Sequence, residues 1–203
     1  MKYKFNEAEL TSEKSLWDIY KLSRRILPSR FNFLMISLAM GLLAINSFFL
    51  EEDVIKILAS TRAWAETGFS FSIAILGFLI AGFTIFATLS KPKMMLAMMD
   101  HINKDTGLPT LKYNYFAFMQ VFIAYILFTS VYLSIQLFGS QGGLLSNIFQ
   151  LLPAGECLKV ALIKISYVFT GGSLLYLILL LKSFIFNIYA TVMNFLRWEY
   201  HQD

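Results

Sequence analysis

Cysteine, histidine and charge are what this sequence has least of, and each scarcity removes a class of protein. Cys157 stands alone among 203 residues, so no intrachain disulfide can form and no thiolate set exists for zinc. The two histidines, His101 and His201, lie far apart in the chain. His101 with Asp100 and Asp105 lacks a third strong ligand, so no metal and no other cofactor is expected. Charged residues make up 15% of the chain, where a soluble domain carries about 25%. No GxSxG, HExxH, Walker loop or GxGxxG occurs, and the first three apolar runs contain no His, Asp or Glu. An intramembrane hydrolase or a proton relay would need such groups at matched depth, so the chain is expected not to be an enzyme. The net charge of +4 does not point to nucleic acid either. Its basic residues gather at the ends of apolar runs instead of forming a face interleaved with aromatics.

What is abundant is apolar surface. Hydrophobic residues make up 57% and aromatics 16%, and the mean hydropathy is +0.62. Four runs are long enough to cross a bilayer as helices, at about 31–50, 68–90, 113–138 and 165–188. The expected fold class is therefore all-α: an integral membrane four-helix bundle in a single domain over 1–203, with an N-terminal amphipathic helix. The first run is too long for a signal-peptide core and lacks a small-residue cleavage site, so it reads as an uncleaved anchor.

The second run, GFSFSIAILGFLIAGFTIFATLS, organises the rest. Ser70, Ala74, Gly77, Ala81, Thr84 and Thr88 recur at spacings of four and three, which draws a seam of small side chains along one helix face. In lipid, close backbone approach over small residues is a main source of helix association. The spacing predicts a packing or oligomer interface, and Ser37, Gly41 and Ala44 on the first run form a shorter face that could mate with it.

Around these runs the sequence supplies polar punctuation. Residues 1–30 read as a cytoplasmic amphipathic helix starting near Thr11 or Ser12 and broken by Pro28. Lys14, Lys21, Arg24 and Arg25 could meet anionic lipid or a protein partner, or the helix could pack on its own protein. Residues 51–67, with Glu51, Glu52, Asp53, Glu66, Lys56 and Arg62, read as a solvated connection. After the second run, Met94, Met95, Met98 and Met99 form a soft patch that suits either a partner surface or internal packing. Met95 and Met99 are its candidate contact residues. Gln120, Thr129, Tyr132 and Gln136 make the third run the most polar; they could bond between helices or line a wet cavity, with Lys182 at the interface or facing that cavity. Leu144–Leu152 reads as a short interfacial helix ending at Pro153. The last run carries paired glycines at 171 and 172, able to permit a kink or a close crossing, and continues apolar into a cytoplasmic extension over 189–203.

Lys and Arg are concentrated in 1–30 and 91–112, with Lys182 and Arg197 beyond. Only Lys56, Arg62, Lys159 and Lys164 fall in the alternate segments. The positive-inside rule then puts both termini in the cytoplasm, with a bacterial inner membrane as the expected location. In size and span number the layout resembles the small multi-span proteins of bacterial defence operons. That resemblance implies an oligomeric membrane-perturbing effector or a membrane sensor for a cytosolic partner. The expected partners are the lipid bilayer, further copies of the chain and a cytoplasmic protein, with no direct contact to nucleic acid. A small channel or transporter, and a structural subunit of a larger membrane complex, are the alternatives.

Overall fold

The computed structural model describes residues 5–24, 26, 29–89, 91–104, 106–140, 143–150 and 155–200. Arg25, Pro28, Asp105, Leu152, Pro153 and His201, all singled out by the sequence, lie outside the described residues. Among the described residues 86% are helical and none lies in a strand. Its helices are α1 (Leu16–Ser23), α2 (Arg30–Ile45), α3 (Val54–Leu89), α4 (Pro92–Asp100), α5 (Thr110–Phe138), α6 (Leu144–Gln150) and α7 (Gly155–Tyr200). A π-helical turn over Asn46–Leu50 prolongs α2. Four of these stretches are long and apolar enough to cross a membrane: Arg30–Leu50, Val54–Thr88, Thr110–Phe138 and Gly155–Tyr200. This is a membrane protein by helix length and composition.

The start of α1 lies later than the sequence suggests. Asn6 and Glu9 form a capping box on a separate 3-10 turn, Glu7–Glu9, which uses up the polar residues before Thr11. Ser15, in extended backbone, then caps α1 by accepting from Asp18 N.

A larger difference concerns residues 51–67. Only Glu51–Asp53 connect α2 to α3, which starts at Val54 and runs 36 residues. The polar residues there sit on the outside of a helix whose other face is apolar. Ile57, Thr61, Ala65, Gly68, Ser72, Leu79, Gly82 and Phe86 are all buried at heptad-compatible spacings, so one inward stripe runs through the supposed loop and the supposed span alike. Likewise α7 is one 46-residue helix that passes through Gly171 and Gly172 without interruption.

Contacts divide the chain into two compact units. One holds residues 28–75 and 125–179; the other holds 1–27, 76–124 and 180–203. In the first unit, Gly171 and Gly172 permit close crossing. A β-carbon on Gly171 would sit 2.6 Å from Leu43 Cδ1 and 2.9 Å from Trp64 Cζ3, and one on Gly172 would sit 2.5 Å from Met40 Cγ. Tyr167 stacks on Trp64 with ring centroids 4.6 Å apart and receives a 3.1 Å hydrogen bond from Asn46 Nδ2. In the second unit the core is aromatic. Phe86 packs on Tyr115 and Phe118, Phe118 meets Phe184 edge to face at 5.4 Å, and Gly82 lies beneath Phe184 and Ile188. Gly107, at φ +68°, turns the chain between α4 and α5, where only glycine adopts that backbone without strain. His101 Nδ1 lies 2.8 Å from Thr110 Oγ1 across this turn.

Candidate functional site

The polar residues of α5 show how the interior of the first unit is built. Tyr132 is fully buried, and its hydroxyl shares a 2.7 Å hydrogen bond with Ser173 Oγ on α7. Tyr125 donates to Leu177 O at 2.9 Å, and Gln136 Nε2 donates to Ala65 O at 3.2 Å. Thr129 Oγ1 donates back to Tyr125 O of its own helix. Of the candidates for lining a cavity, Tyr132 and Thr129 serve as bonds between or along helices, while Gln136 both bonds to α3 and lines an open cleft. The physical reason is that a polar side chain in an apolar interior is costly until it finds a partner. Gln120 is half-buried and Lys182 is exposed.

The small-residue seam occupies the opposite surface. Ser70, Ala74, Gly77, Ala81, Thr84 and Thr88 are all exposed, and an added β-carbon on Gly77 meets nothing within 4 Å. Ser37 and Gly41 on α2 are exposed too, Gly41 with the same open space, while Ala44 is half-buried. Both small-residue faces are therefore open on their own helices. Glycines at other positions make the internal close approaches. Gly68 lies 2.6 Å, measured from its missing β-carbon, from Tyr132 Cε2, and Gly82 lies 2.9 Å from Ile188 Cδ1.

The chain matches no protein-family model, no curated protein and no solved structure.

The candidate partner and lipid contacts divide. Lys14, Lys21 and Arg24 are exposed, and Lys21 Nζ lies 5.7 Å from the Trp17 ring centroid. Leu16 and Trp17 beside them are exposed at 60% and 62%, so the polar and apolar sides of α1 are both open. Ser15 Oγ donates to the Asp18 carboxylate at 2.8 Å, and this hydrogen bond holds the carboxyl below its ordinary pKa. Met99 is buried and Met95 half-buried, so the Met patch packs inward over most of its area and is not a free docking face. Sequence reading passed over the ion pair of Lys112 with Glu13, 2.7 Å long, with both side chains only 13% exposed. Lys112 Nζ also donates to Ser12 Oγ, so the leading segment is tied to the start of α5. Lys91 pairs with Glu199 near the end of α7. Opposite charges about 100 residues apart in sequence give no spacing signal to find such pairs.

A second polar group was hidden by the loop reading. Arg62 donates from Nε to Gly139 O at 2.8 Å and again from Nη2, capping the carbonyl just past the end of α5. Arg62, Glu66, Ile135, Gln136, Gly139 and Ser140 line an open cleft of about 380 Å³.

Proposed function

We propose that the chain is a non-enzymatic four-helix membrane bundle that assembles with copies of itself through the small-residue face of α3. Together with a cytoplasmic protein it acts as a sensor of membrane disturbance or an effector of permeability. The observation that carries this reading is the outward seam: Ser70 to Thr88 stay exposed while other glycines make the internal close approaches. A helix surface kept smooth over five turns fits a second helix better than it fits disordered lipid tails. The proposed orientation has both termini in the cytoplasm of a bacterial inner membrane, from the placement of Lys and Arg. In that orientation α1 lies on the inner headgroup layer, with Leu16 and Trp17 toward the acyl boundary and Lys14, Lys21 and Arg24 toward anionic lipid. A role in antiviral defence follows from the resemblance in size and span number alone.

Cross-linking between copies tests the reading. With Cys157→Ser removing the native thiol, Ala81→Cys should form disulfide-linked dimers in oxidised membranes. Leu79→Cys, at a fully buried position, should not. Linking at neither position, or equally at both, would remove the proposed interface.

A further inference from the structure

Arg62 and Glu66 stand one helical turn apart on α3, where side chains four residues apart are neighbours. They carry opposite charges, yet they do not pair. Arg62 donates from Nε and Nη2 to the Gly139 carbonyl, so one edge of its guanidinium is spent on the end of α5. A guanidinium is a planar fork with five N–H donors, and three of them remain. Two of the three, from Nη1 and Nη2, run parallel off the far end, the pattern that a carboxylate accepts with both oxygens. Glu66 is exposed, and among the described residues no ion pair engages its carboxylate. A carboxylate without a partner keeps its charge at least cost in water, so a soluble ligand is the occupant to seek.

The cleft that these two line measures about 380 Å³, at the small end of the range for small-molecule sites. Gln136 and Ser140 bring further polar groups to it, and Ile135 an apolar wall. Gln136 spends its Nε2 on the carbonyl of Ala65, the residue before Glu66, and keeps its Oε1 as an acceptor. The lining therefore offers donors at Arg62 and acceptors at Glu66 and Gln136. A lone anion would meet the Glu66 carboxylate, and a lone cation the Arg62 guanidinium. A ligand that carries both charges meets a partner at each.

We infer that this cleft binds a small zwitterion of the amino-acid class, its carboxylate on the free edge of Arg62 and its ammonium on Glu66 and Gln136 Oε1. In an α-amino acid the two charged groups share one carbon, a separation that suits two side chains one turn apart. Both residues precede Ser70, where the outward seam of α3 begins, so this ligand and a second copy of the chain engage different residues. Binding here requires neither the self-association nor the orientation proposed above.

Isothermal titration calorimetry of the full chain in detergent tests this with L-alanine, propionate and ethylamine, which carry both charges, the carboxylate alone and the ammonium alone. The wild type should bind L-alanine about tenfold more tightly than either, the factor expected from one charge-assisted hydrogen bond. Glu66 is exposed, so Glu66→Gln should fold as the wild type does and bring L-alanine down to the affinity of propionate. Arg62→Lys keeps the charge but loses the fork, and should weaken L-alanine and propionate alike. No saturable heat with L-alanine, equal affinities for the three, or a preference that survives Glu66→Gln overturns the inference.

Discussion

Glycines at four positions on two helices carry opposite duties, and their surroundings separate them. A β-carbon on Gly68 would press to 2.6 Å from the Tyr132 ring, itself held by Ser173. Gly68→Ala should therefore destabilise the protein by about 1–3 kcal/mol, the usual cost of overpacking a filled core. Within one chain Gly77→Ala has open space, so in the dissociated monomer it should be neutral or stabilising by up to about 1 kcal/mol, from helix propensity. Thermal unfolding of the two variants in one detergent checks the contrast, and equal shifts would contradict the assignment of faces. Tyr132→Phe removes the hydroxyl from a bond to Ser173 and should cost about 0.6 kcal/mol, the mean for such bonds in membrane proteins. The seam was legible on the second run, but its direction was not, because period alone is indifferent to direction. Seam and buried stripe have similar spacings, and the rings of Tyr132 and Phe184 sit against Gly68 and Gly82 of the stripe that turns inward.

At the scale of elements, the apolar cores of the four long helices were legible, since some twenty uncharged residues admit few other structures. The continuation of α3 over 54–67 was not. Lys56, Arg62 and Glu66 suggest solvent, yet Ile57, Thr61 and Ala65 extend the buried stripe at helical spacing, and that periodicity was the available signal. Counting charges hid it. The cleft at Arg62 was illegible for a further reason: it depends on where α5 ends relative to α3, a register set by tertiary contact. At the N-terminus, Glu13→Gln leaves Lys112 without its charge partner and should cost about 1.5–3 kcal/mol locally. Hydrogen exchange should then quicken over Ser12–Ser23 and stay unchanged in α7. Acid should act on the same segment. The native Asp18 pKa lies below its ordinary value, so its contribution to the α1 cap is present at neutral pH and is lost as pH falls through that lowered value. Circular dichroism of Asp18→Asn against wild type across that range should converge at low pH.

For the whole molecule, helix length sets the terms. At 1.5 Å per residue, α3 extends about 54 Å and α7 about 69 Å, against a hydrocarbon core of about 30 Å. Both long helices must therefore carry protein beyond the hydrocarbon, where charged pairs such as Lys91–Glu199 are stable and a cytoplasmic partner could reach them. Assembly through the outward face of α3 is the central claim, and subunit mass tests it most directly. Mass photometry or light scattering of the nanodisc-held protein, wild type beside Gly77→Leu, should give a defined oligomer for the first and a folded monomer for the second. A monomer in both, or an oligomer that withstands the substitution, would contradict it.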